Sequence, residues 1–241
     1  MAKKNLLEKI DVLFIGAHQD DVDAIVGGTV ILLTDKGYKV EILDLSKRKG
    51  MFFSEEEKRG KEAENAAKIM KVKRHVIDLG LLKIKNTYEN RIKIANFIRK
   101  KRPEIVVTLA DDKHHPDHHE AHQLILDALH YSFASAIKTK FPPWRVKKIY
   151  FYPPDLIYEF PSGKNLLFVD ISSTFKRKME ALKCYASQVL FHPYNQKYVL
   201  EYIEALNKAL GRLIRRDYAE ILMTDLPILD PFPELKPELK K

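Results

Sequence analysis

Residues 12–37 read VLFIGAHQDDVDAIVGGTVILLTDKG, and the order of residue types along them decides the fold class. Val12-Leu13-Phe14-Ile15 is a continuous apolar run, the pattern of a strand buried on both faces. A helical segment follows from Val22 to Asp35. Gly37 then stands where a left-handed helix cap precedes a second strand, Val40 to Leu45. Strand, helix and strand in so short a span make a βαβ unit, which belongs to a parallel sheet. Between the first strand and its helix lies a polar cluster, Ala17-His18-Gln19-Asp20-Asp21. It occupies the carboxyl end of the strand, where open parallel sheets bind their ligands.

The rhythm continues outward. Ser54 and Glu57 form a capping box for a helix carrying Arg59, Ala63, Ala67 and Met70, and a third strand runs from His75 to Leu79. The segment Tyr88 to Lys101 is helical, with Ile92, Ala95, Phe97 and Ile98 apolar, and Pro103 ends it before a fourth strand, Ile105 to Leu109. A second polar cluster comes next, His114-His115-Pro116-Asp117-His118-His119. It leads into a helix from Asp117 to Ala134 whose buried face holds Leu124, Leu126, Ala128 and Leu129. Pro142, Pro143 and Trp144 mark a loop. Strands are expected at Lys148 to Tyr152 and Leu166 to Ile171, and helices at Phe175 to Gln188 and Gln196 to Leu213. The expected architecture is α/β: a Rossmann-like, mostly parallel sheet with helices on both faces. One domain is expected over 1–241, with 226–241 an irregular, proline- and lysine-rich tail.

Composition narrows the function classes. With 241 residues, 45% hydrophobic and 31% charged, the chain can build a sizeable core without a metal or disulfide, and no apolar run reaches membrane-spanning length. The N-terminus lacks a signal-peptide pattern and Cys184 is the only cysteine, so a cytoplasmic protein is expected. The net charge of +9 is spread along helical segments and interleaved with glutamate, as in Glu55 to Glu64. That reads as solvated surface, and neither nucleic acid nor membrane is an expected partner.

The two polar clusters carry the chemistry. Each follows a strand of the same expected sheet, so they face one pocket if the first and fourth strands are neighbours. Imidazole and carboxylate are good ligands for Zn²⁺, and three protein ligands leave a position for water. Adjacent aspartates, Asp20 and Asp21, allow one to turn to the metal while the other takes a proton from the water. Taken singly, the aspartates are also explained as a helix N-cap, and the histidines as an adventitious surface patch.

At these residues the chain resembles the LmbE-like or PIG-L deacetylase family, marked by an Ala-His-Pro-Asp-Asp motif and a later His-Pro-Asp-His motif. Here they read Ala17-His18-Gln19-Asp20-Asp21, with Gln19 in place of the proline, and His115-Pro116-Asp117-His118. The likeness extends through Gly27-Gly28-Thr29, Arg59 to Ala63, Asp170-Ile171-Ser172, Tyr185 to Gln188 and Tyr218-Ala219-Glu220. In spacing it looks most like the branch containing the bacillithiol-pathway deacetylase of N-acetylglucosaminyl malate. The loop from Lys47 to Phe53 is unlike that branch.

The resemblance implies that His18, Asp21 and His118 hold Zn²⁺, or another divalent cation, and that Asp20 is the general base. It implies that His115 stabilises the oxyanion and protonates the departing amine, that Asp117 orients the His115 ring, and that Arg59 contacts substrate. An exposed Arg59 paired with Glu55 or Glu62 reads equally well. The implied activity is deacetylation of an N-acetylglucosamine-type sugar conjugate by a homo-oligomeric enzyme. Three other readings stay open: an amidase of the same superfamily acting on a thiol conjugate, a metal-binding protein without turnover, and a non-haem iron triad.

Overall fold

The computed structural model describes residues 7–47, 56–154, 165–185 and 196–224, and for 56–59, 196 and 197 the backbone alone. Its elements run β1 (Val12–Gly16), α1 (Asp21–Asp35), β2 (Val40–Asp44), α2 (Glu56–Met70), β3 (Lys73–Val76), α3 (Tyr88–Lys101), β4 (Ile105–Leu109), α4 (Pro116–Phe133), β5 (Lys148–Tyr152), β6 (Asn165–Asp170), α5 (Phe175–Leu182), α6 (Gln196–Leu213) and β7 (Ala219–Thr224). Every residue of β1, β2 and β4 is buried, as a doubly covered parallel sheet requires, Glu41 and Asp44 of β2 included. Gly37 takes φ +85, the left-handed conformation expected of it, and its N–H returns to the Thr34 carbonyl at 3.0 Å.

The sheet order is β3-β2-β1-β4-β5-β7-β6. β1 pairs in parallel with β2 on one side, Val12 opposite Val40, and with β4 on the other, Val12 opposite Ile105. The strand order therefore reverses between β1 and β4, and the crevice of such a sheet opens at that switch. β7 runs antiparallel to both β5 and β6, which makes the sheet mostly parallel rather than wholly so. Helices α1, α2 and α5 pack together, and α3 packs on α4. No helix among the described residues is long and apolar enough to cross a membrane.

Three expectations shift. The third strand is Lys73–Val76, earlier than the expected His75 to Leu79. The amides of Ile77 and Leu79 still bond the Asp44 and Leu45 carbonyls, but Gly80 at φ +87 then turns the chain away. Helix α5 ends at Leu182, short of the expected Gln188, of which 186–188 lie outside the described residues. The expected capping box at Ser54 and the tail 226–241 also lie outside them. Strand β7 is an addition to the expected elements: all six of its residues are buried, Glu220 among them, so neither polar alternation nor an unbroken apolar run marks it.

Glu220 explains itself in the fold. Helix α1 departs from helical geometry at Val26 (φ −126, ψ 18). The Glu220 carboxylate bonds the amides of Gly28 and Thr29, at 2.8 and 2.7 Å, and the Thr29 hydroxyl at 2.6 Å. It caps the second half of α1 as if that half were a new helix N-terminus. Lys178 of α5 reaches the same carboxylate at 2.8 Å and Asn207 Oδ1 at 2.8 Å, both wholly or nearly buried. A Cβ on Gly28 would meet Ile171 Cδ1 at 2.8 Å and Glu220 Oε1 at 2.9 Å, so only glycine admits this approach.

Replacing Glu220 by glutamine strands the buried Lys178 charge, and a loss of about 3–5 kcal/mol in chemical denaturation is expected. A loss under about 1 kcal/mol would mean that an ordinary neutral hydrogen bond suffices there.

Candidate metal centre

The loops leaving β1 and β4 meet because those strands are adjacent. The first loop is pinned at its root. The Ile15 carbonyl accepts from Thr108 Oγ1 at 3.2 Å and Tyr152 Oη at 3.1 Å, and the Ala17 carbonyl accepts from Ser46 Oγ at 3.0 Å. Asp20 occupies the N-cap position of α1, yet its side chain makes no capping hydrogen bond, so the helix-cap reading of this aspartate does not describe it. Asp21, one residue on, accepts the His18 N–H at 2.9 Å, which folds the two side chains toward each other. In the second loop His115 is extended at the N-cap of α4 and Pro116 opens the helix, where its missing N–H costs nothing. Asp117 and His118 consequently lie in the first helical turn.

Ligand nitrogens of His18, His115 and His118 all lie within 4.8 Å of one another. The rings of His115 and His118 stack with centroids 4.2 Å apart, and His18 stands at 5.1 and 5.2 Å from the two. Asp21 joins the group, with Oδ1 3.5 Å from His18 Nδ1 and Oδ2 3.5 Å from His118 Nε2. The surrounding carboxylates orient the rings: Asp112 Oδ2 is 2.9 Å from His118 Nδ1, and Asp117 Oδ2 is 3.1 Å from His18 Nε2. Asp117 also accepts the Leu82 and Ile84 amides at 2.7 and 3.3 Å, so it ties the chain after β3 to the cluster.

The carboxylates and rings of the cluster shift one another's proton affinity. Burial opposes a charge on His18, but the Asp21 carboxylate and the bonds from Asp117 and Asp21 outweigh it and push the ring up to about 10. Burial likewise opposes charge on Asp21, and the facing His18 and His118 overcome it and hold Asp21 well below the usual carboxylate range. For His115, burial and the neighbouring His118 and His18 charges lower its proton affinity. His115 Nδ1 is buried without a hydrogen-bond partner among the described residues, a donor atom that the protein itself leaves unused. Two or three imidazoles and a carboxylate converging in this way suit a divalent ion of the zinc type.

The structure brings together His18, Asp21, His115, Asp117 and His118, with Asp20 at the head of α1 beside them. The pairing expected of Asp117 is not the one found: its carboxylate meets His18 and the Leu82 and Ile84 amides. Its place in the first turn of α4 turns it toward those partners. Arg59 lies in α2 with its side chain outside the described residues, as does most of the loop up to Phe53. Sequence reasoning missed Asp112; its one signal was the Asp111-Asp112 pair just before the histidines, where carboxylates that orient metal-binding rings are found.

Residues 13–129 match the PIG-L family, described as GlcNAc-PI de-N-acetylase. A diacetylchitobiose deacetylase of Thermococcus kodakarensis is 31% identical over 235 residues, covering 87% of this chain and 80% of that protein. The fold of a conserved protein from Thermus thermophilus superimposes with a TM-score of 0.80 at 29% identity, covering 92% of this chain and 97% of that one. The N,N'-diacetylchitobiose deacetylase of Pyrococcus horikoshii gives a TM-score of 0.76 over 95% of this chain and 89% of that one; at 22% identity this is a likeness of fold.

Asp112→Asn keeps the shape of the side chain but loses its charge toward His118. Zinc affinity measured by chelator competition is expected to fall about 10–100-fold with the thermal midpoint little changed. An unchanged affinity would separate Asp112 from the metal centre.

Proposed function

The chain belongs to the PIG-L family of LmbE-like deacetylases, and from that premise we propose that it is a zinc-dependent hydrolase removing the acetyl group from an N-acetylglucosamine-type sugar. One observation carries the reading: three histidines and Asp21 converge at the β1–β4 switch, with Asp20 next to Asp21 at the head of α1. A site that only stored metal has no need of a second carboxylate and a third histidine at its edge.

In this proposal His18, Asp21 and His118 hold the ion. Bound there, Zn²⁺ supplies Lewis acidity that lowers the pKa of water toward about 7 and polarises the acetamide carbonyl. Asp20 takes the proton of the attacking water as its oxygen bonds to the acetyl carbon. His115, stacked on His118, stabilises the developing oxyanion, and in its protonated form it gives its proton to the nitrogen as the C–N bond breaks. The products are acetate, a free amine and one proton, which together conserve the atoms of water and amide. Asp117 acts through His18 by holding the ring in place.

The Thermococcus relative makes N,N'-diacetylchitobiose the first substrate to try, with N-acetylglucosaminyl malate as the second. Purified protein loaded with Zn²⁺ is expected to release acetate from one of them and to stop when a chelator removes the metal. Asp20→Ala is expected to retain zinc while losing about 10²–10⁴-fold in kcat. A zinc-loaded protein that leaves both compounds and simple N-acetylglucosamine conjugates intact would overturn the proposal. So would an Asp20→Ala variant of normal rate.

A further inference from the structure

Arg74 is a buried cation that the proposed chemistry does not use. It rises from β3, which β2 and β1 separate from β4, and its side chain is only 5% exposed. All five guanidinium hydrogens have acceptors within reach. Nε bonds Asp44 Oδ2 at 2.7 Å, with Nη2 3.3 Å from the other oxygen. The two Nη atoms bond Asp23 at 3.1 and 2.6 Å. Nη1 also bonds Tyr185 Oη at 3.0 Å, and Nη2 donates to the Gln19 carbonyl.

The last of these contacts reaches the metal centre. Gln19 lies between His18 and Asp20, and its carbonyl accepts a second bond from Tyr185 Oη at 2.7 Å. Tyr185 also lies 2.9 Å from Asp23 Oδ1, and Asp23 belongs to the first turn of α1 together with Asp21. A carbonyl oxygen with both acceptor sites filled fixes the plane of its peptide, and that plane sets the direction in which the neighbouring side chains leave the backbone. The same guanidinium grips Asp44 at the end of β2 and Asp23 on α1. It therefore ties the loop to the sheet and the helix at once.

We infer that Arg74 is a positioning residue of the metal centre, fixing the turn His18-Gln19-Asp20-Asp21 through the Gln19 carbonyl with Tyr185 as its second donor. This rests on the reading of His18 and Asp21 as metal-holding residues. Lysine does not substitute: its three donors on one point cannot span Asp23, Asp44 and a carbonyl in the plane that the arginine fork reaches.

Arg74→Lys and Tyr185→Phe test the inference, with zinc affinity by chelator competition, kcat and KM on diacetylchitobiose, and the thermal midpoint as readouts. Arg74→Lys is expected to bind zinc about 10–100-fold more weakly, with kcat reduced and KM little changed. Tyr185→Phe removes a single donor and is expected to weaken zinc binding roughly 2–10-fold. A purely structural role would lower the thermal midpoint and leave the zinc affinity of the folded protein alone. Folded variants within twofold of wild type in both zinc affinity and kcat would overturn the inference. If Arg74→Lys does not fold, Tyr185→Phe decides by itself, and unchanged zinc affinity there is the refuting result. Wild-type protein that binds zinc but releases no acetate would defeat the deacetylase reading, while the zinc comparison would still decide the role of Arg74.

Discussion

The adjacency of β1 and β4 is the constraint on which the rest depends. Chain order alone separates His18 from His118 by a hundred residues, and only the insertion of β1 between β2 and β4 brings the two loops to one crevice. Both strands are buried along their whole length and pair in parallel, so their carboxyl ends emerge on the same side. Each strand leads into a helix whose first turn begins with polar side chains: Asp21 for α1, Asp117 and His118 for α4. A helix start is a good platform for such groups, since its backbone is rigid and its side chains project from a known direction.

Charge then organises the cluster. Asp21, Asp112 and Asp117 each face a histidine, and each is held below its usual range because the partner's positive charge and hydrogen bonds outweigh burial. His18 and His118 are drawn upward by the same pairs, whereas burial and the neighbouring His118 and His18 charges push His115 down. The asymmetry divides the three rings into two whose proton affinity is raised and one whose proton affinity is lowered. Around this lies a second layer of buried ions, Arg74 with Asp23 and Asp44 on one side and Glu220 with Lys178 on the other, which fix the loop and the bend in α1.

Much of this was legible in the sequence. The runs Val12 to Ile15 and Ile105 to Leu109, the glycine at 37 and the proline at 103 announced their elements because local chemistry decides them: apolar continuity, positive φ and a missing N–H. The doubled aspartate and the Pro-Asp-His turn likewise marked the two loops that the fold brings together. What local patterns could not supply was any relation between distant segments. Glu220 looks like a surface charge until β7 is seen inside the sheet, and Arg74 reads as one more basic residue until its four acceptor groups are assembled from Gln19, Asp23, Asp44 and Tyr185. Asp117 is expected beside His115, its near neighbour in sequence, and instead reaches His18, ninety-nine residues away.

Diffraction from crystals soaked in Zn²⁺, with data collected on both sides of the zinc absorption edge, addresses the convergence of the two loops most directly. One anomalous peak per chain is expected, within about 2.0–2.2 Å of nitrogens from His18 and His118 and an oxygen of Asp21. A peak bound by only one of the two loops, or none between them at saturating zinc, would contradict the shared centre.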